Sequence, residues 1–236
     1  MDEGFDPLRR VLLVRMLAAG AFAAAGFGCA QVVGTRPRQM PEGRSIYRIE
    51  NGARVNGEVA SESTLINAGD EVETGEGGLV FVVGDAAFYA RPRSRILIGE
   101  RRDGRRLEGL TLRQGGVLSV FGGGAYRVET PHAVVGIRGT GLYAQVEDQQ
   151  DYVCTCYGSV LIEARADARS REEIVSEHHD APRFVRASGA SGTLVQPAPF
   201  KDHTDEELIL LEALVGREPP FSVIGSGYSV PRRSTY

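Results

Sequence analysis

The chain has 236 residues, 42% hydrophobic and 25% charged, with 30 glycines, three cysteines and no tryptophan. That is enough for one sizeable core with tails, so one main domain is the default. The net charge is -4, and the arginines, densest at Arg101, Arg102, Arg105 and Arg106, have no interleaved aromatics, which argues against a nucleic-acid partner.

Arg9 and Arg10 precede an apolar, alanine-rich run from Val11 to about Ala30, interrupted only by Arg15. Residues 1–30 therefore read as an export signal rather than a fold element. A retained transmembrane anchor competes, but alanine and glycine dominate after Arg15, which favours cleavage. The paired arginines suit the twin-arginine route, while the missing Ser or Thr before them and the acidic Asp2, Glu3 and Asp6 suit the general one. At the far end, Gly26-Phe27-Gly28-Cys29 is similar to a lipobox, which would make Cys29 a lipidation site. Cleavage after Ala30, with Gly28 at the other small position, is the alternative.

Residues 31–43 are polar, contain Pro37 and Pro41, and read as a linker. A β domain follows over 44–190. Ile46 to Glu50, an Asn51-Gly52 type I′ turn, and Ala53 to Val59 predict a first hairpin. Asp70 to Thr74 alternates, and Leu79 to Val83 is a continuous apolar run, predicting a strand buried on both faces that Gly84-Asp85 turns into Ala86 to Ala90. Arg95 to Ile98, Leu107 to Leu112, Val117 to Phe121 and Tyr126 to Thr130 continue the series, with breaks at Gly115-Gly116 and at Gly122 to Gly124. Pro131 cannot donate to a ladder and marks a strand boundary. Beyond it, glycines at Gly139 and Gly141 divide the segment up to Ile162 into strand, turn, strand and strand. Short strands with glycine-rich turns predict an all-β fold, a sandwich or β-roll.

Residues 191–236 form a C-terminal extension. Within it Thr204 followed by Asp205-Glu206-Glu207 is a capping box, and Leu208, Leu211, Ala213 and Val215 supply an apolar face. Gly216 and Pro219-Pro220 end the predicted helix, about 204–215, and a tail follows.

Few motifs carry chemistry. Gly139-Thr140-Gly141-Leu142-Tyr143-Ala144 matches the dinucleotide fingerprint in letters, but Leu142, Ala144 and Val146 alternate, so a strand stands where the motif requires a helix. There is neither a nucleophile elbow nor a phosphate-binding Walker loop, and no enzyme is expected. Cys154 and Cys156 lie on one face of one predicted strand, about 6.5–7 Å apart, near the limit for an unstrained disulfide. With His178 and His179 they make a Cys and His set of the sort zinc accepts, although adjacent histidines on a strand point to opposite faces, so that one of the two would join more easily. Buried thiols and a solvated histidine pair are the competing reading.

Gly69-Asp70-Glu71-Val72-Glu73-Thr74-Gly75, Gly84-Asp85, Leu110 to Val117, Thr130-Pro131, and Gly139-Thr140 before an alternating strand together resemble the FecR domain family of bacterial cell-surface signalling and envelope proteins. The resemblance spans roughly Arg54 to Glu163. Members with the full signalling arrangement look like inner-membrane regulators with a cytoplasmic anti-sigma segment, one transmembrane helix and a periplasmic sensing part. Here Met1 to Arg10 precede the apolar run, too little for a sigma-factor-binding segment, so an exported stand-alone FecR domain is expected. The resemblance implies a non-enzymatic binding or signalling module, without cofactor, in the periplasm or on the periplasm-facing membrane of a Gram-negative bacterium. Its partner would be an envelope protein, and it would touch the membrane only through an N-terminal lipid or an uncleaved signal. The alternative function is a metal- or redox-responsive envelope protein that binds a metal ion through Cys154, Cys156 and one of His178 or His179.

Overall fold

The computed structural model describes residues 37–100 and 107–221. The protein is all-β, with one short helix. The first strands are β1 (Ile46–Ile49), β2 (Ala53–Val55), β3 (Glu58–Val59), β4 (Glu71–Thr74), β5 (Leu79–Val83), β6 (Ala86–Ala90) and β7 (Arg95–Glu100). They are followed by β8 (Leu107–Gln114), β9 (Gly116–Val120), β10 (Ala125–Glu129), β11 (Ala133–Val146), β12 (Gln150–Ala164), β13 (Asp167–Ser176), β14 (Arg183–Arg186) and β15 (Val195–Pro197). The helix α1 (Asp205–Leu214) comes last.

All these strands join in one sheet, ordered β1-β5-β6-β9-β11-β10-β8-β7-β4-β2-β3. β12 pairs along β11 and carries β13 and β14 on its other edge, with β15 outside β14. The ladders are antiparallel except for β8 with β10. β5 is buried throughout and turns at Gly84-Asp85 into β6, as its unbroken apolar run predicts.

Two local expectations fail for identifiable reasons. Asn51 and Gly52 take the positive φ values of a type I′ turn, 50° and 85°, yet β1 pairs with β5 and β2 pairs with β3 and β4. The hairpin turn is at Asn56-Gly57, φ 52° and 81°, a second copy of the same dipeptide five residues on. Gly139 and Gly141 do not end a strand either. β11 runs through both with a register shift between Arg138 and Leu142, so the glycines make a bulge. The bulge lets the first half of β11 pair with β10 and the second half with β9. Opposite it, Gly158 has φ 92°, and a Cβ there would lie 2.6 Å from the Gly139 carbonyl oxygen.

Strand alternation produces two apolar clusters. Leu79, Phe81, Phe88, Ile96, Leu112, Val128, Val135, Ile162 and their neighbours form the larger. On the opposite face, Val80, Val82, Leu118, Val120, Tyr143, Tyr152, Cys154 and Cys156 pack under Leu208, Leu211 and Leu214 of α1. The Thr204 hydroxyl accepts from the Glu207 amide and the Glu207 carboxylate accepts from the Thr204 amide, which satisfies two groups at the helix start. Arg91 on the sheet side clasps Glu207 through two bonds of 2.6 and 2.7 Å. No helix of the described residues is long and apolar enough to cross a membrane.

Candidate metal centre

Alternation along β12 sends Tyr152, Cys154 and Cys156 to the side covered by α1. Cys154 stands opposite Tyr143 of β11, and both thiols are free and fully buried. A turn after β13 brings in the third donor. The Asp180 carboxylate accepts from the Glu177 and His178 amides at 2.8 and 3.1 Å, His179 takes φ 55°, and the His179 amide donates to the Cys156 carbonyl at 2.9 Å. The fourth donor, His203, lies just before the cap of α1.

Cys154, Cys156, His179 and His203 are all buried, and their donor atoms all lie within 4.8 Å of one another. Cys154 Sγ is 3.6 Å from His179 Nδ1, Cys156 Sγ is 3.4 Å from His203 Nε2, and the two imidazole nitrogens are 3.1 Å apart. A tetrahedral zinc ion, bonded at about 2.3 Å to sulfur and about 2.0 Å to nitrogen, separates sulfur from nitrogen by about 3.6 Å and nitrogen from nitrogen by about 3.3 Å. Three of the six edges of such a tetrahedron are therefore already close to length, and the other three are no longer than 4.8 Å.

The outer hydrogen bonds fix which nitrogens face inward. His203 Nδ1 donates to the Lys201 carbonyl at 2.7 Å, and His179 Nε2 lies 2.9 Å from Asp205 Oδ1, to which it donates. When both rings are neutral, each has its lone pair on the inner nitrogen, and the two lone pairs face each other in a buried space. That pairing is repulsive unless a proton or a cation lies between them. A carboxylate or carbonyl behind each ligating imidazole is the arrangement metal sites use to hold ring orientation and raise ligand basicity. Stacking closes the site further: Tyr143 lies on His203 at 4.7 Å, and Phe200 approaches His179 and His203 at 4.6 and 4.7 Å.

Burial pushes both thiols up. At Cys154 the contacts with Cys156, His179 and His203 outweigh it and hold the thiol well below its usual range, whereas at Cys156 burial and the neighbouring Cys154 leave it well above. Burial pulls the His179 imidazole down, but the bond to Asp205 and the Cys154 sulfur outweigh that and carry it to about 9. The cluster thus favours a thiolate beside an imidazolium, a charge pair whose cation a metal ion would replace.

Cys154 and Cys156 share a face, as their spacing requires. Of the histidine pair, His179 turns inward, and His178 instead reaches Asp205 Oδ1 at 2.8 Å from the outer side while stacking on Phe221 at 4.5 Å. The two sit in a turn rather than on a strand, and their Nε2 atoms meet the same Asp205 oxygen instead of pointing to opposite faces. His203 escaped sequence reasoning: it is 47 residues from Cys156. Its one local mark is its place beside the Thr204 capping box. Cys29, the export signal 1–30 and the tail beyond residue 221 lie outside the described residues.

No family model matches the chain, and no curated protein matches it. Two crystal structures of a candidate anti-sigma factor from Parabacteroides distasonis are similar to it, each at 13% identity and TM-score 0.41, over 53% of this chain. The matches take in 57% and 56% of those chains, so the chain spans just over half the length of either. A likeness this distant assigns no role.

Proposed function

We propose that this protein is a non-enzymatic β module that holds one zinc ion as a structural centre through Cys154, Cys156, His179 and His203. The observation that carries the reading is the convergence of four buried donor atoms within 4.8 Å of one another, with the inner nitrogens of His179 and His203 3.1 Å apart. Two thiolates and two neutral imidazoles cancel the charge of Zn²⁺, which suits a site shut off from water. Four protein donors leave no coordination position for a substrate, which supports structure rather than catalysis. Zinc here would tie β12 to the turn after β13 and to the entry of α1.

The setting we propose is the bacterial envelope, with recognition of a protein partner as the role. This rests on the apolar run after Arg10 and on the resemblance to FecR domains, and the zinc centre would keep the recognising sheet in one shape. The test is elemental analysis of protein purified from the envelope fraction of its host. The expected result is one zinc per chain, lost in a Cys154→Ser/Cys156→Ser variant and kept in His178→Ala. Metal-free protein with both thiols titratable, or a disulfide joining them, overturns the reading.

A further inference from the structure

We propose that a second copy of this chain pairs with β13, edge to edge, to form a twofold dimer with a continuous sheet. β13 contains no proline and as a strand pairs with β12 alone, in regular register from Arg171 to Ser176, while residues 191–194 bond the Asp167 and Ser170 side chains at its start. A long unpaired edge of this kind is a template for another strand. Val175 on its open face is 75% exposed, beside the half-exposed Leu161 of β12.

The charges on that edge are what select a second copy as the occupant. Arg169, Arg171, Glu173 and Val175 alternate onto the open face, while Ser170 and Ile174 point into the buried side. Arg171 and Glu173 have no ion-pair partner among the described residues, although Glu163 stands opposite Arg171 on β12. An antiparallel pair of β13 strands centred on Glu172 places Arg171 of each copy opposite Glu173 of the other, forming two identical cross-strand ion pairs. Glu172 meets its own copy at the axis, and each is already clasped by Arg183 at 2.8 and 2.6 Å, which removes most of the like-charge cost.

The experiment is sedimentation velocity on the full chain lacking its signal, across a concentration series, with circular dichroism to confirm that each variant folds. The wild type is expected to dimerise. Arg171→Glu and Glu173→Arg, each exposed and each placing like charges opposite one another, are expected to weaken the dimer at least tenfold. The double variant Arg171→Glu/Glu173→Arg restores complementary pairs and should recover it. A wild type that stays monomeric at concentrations on the order of 100 μM overturns the proposal. So does a dimer indifferent to the single reversals, or a double variant that fails to recover.

Discussion

The two faces of the sheet are made by the same strands and differ in what they bury. On the wider face, Leu79, Phe81, Phe88, Ile96, Leu112 and Val135 pack with aliphatic and aromatic neighbours. On the other, Val80, Leu118, Tyr143, Cys154 and Cys156 pack under a ten-residue helix and a rim that includes Met40, Tyr47, Phe184 and Phe221. Three leucines of that helix contribute about 6 kcal/mol of apolar burial, at about 2 kcal/mol each. A helix so short is marginal without its tertiary contacts. The face with little apolar cover is the one where the thiols and imidazoles converge, and a metal cross-link would supply what burial does not.

The sharpest way to break that contrast is to strip the metal and cut a leucine on each face. Chelation is expected to lower the melting temperature by about 10 °C or more, read by calorimetry. Leu112→Ala should cost about 3 kcal/mol with or without zinc. Leu211→Ala should cost about the same in the zinc form and at least about 1 kcal/mol less in the zinc-free form, because both changes loosen α1. Equal behaviour of the two leucines would mean that the faces are not energetically distinct.

A smaller effect is expected at Asp205, which receives His179 and His178 on one oxygen. Asp205→Asn should leave the ligand count intact and weaken zinc 10- to 100-fold, measured by competition with a chelator, whereas His178→Ala should shift affinity far less. An unchanged affinity in the Asn variant would remove the outer support from the account.

The smallest effect lies away from both faces, where Asp167 accepts from Gly192, Ser191, Arg169 and Ser170. The amide of Gly192 and the hydroxyl of Ser191 lead in holding its carboxyl down at about 2. A depressed carboxyl lends its stability above its unfolded value near 4 and loses it as the pH falls toward 2. Asp167→Asn should therefore be slightly less stable than the wild type at pH 6, with the gap closing by about pH 2. A gap that persists in acid would point to lost shape rather than lost charge.

What could be read from residues alone follows the range of the interactions. Strand alternation and the Thr204 capping box are local, and the shared face of Cys154 and Cys156 is a matter of a two-residue period. The pairing of β1 with β5 is not local, and an Asn-Gly step at 51 looks the same as the one at 56. β11 shows the limit of punctuation, since a glycine can interrupt a ladder without ending it. Of the four donors, the two on one strand were visible as a pair and His179 as half of a doublet. His203 was not, because only the docking of α1 brings residue 203 to residue 156.

The donors also stand in a definite order along the chain: 154, 156, 179, then 203. A chain threaded out from its amino end presents the two sulfurs and one imidazole first, and completes the set only when the last stretch before α1 has emerged. Until then an ion would be held by three groups and could exchange freely. With zinc bound as proposed, closure at residue 203 would act as a full stop for assembly, reached only by a molecule whose carboxyl-terminal segment is present and seated.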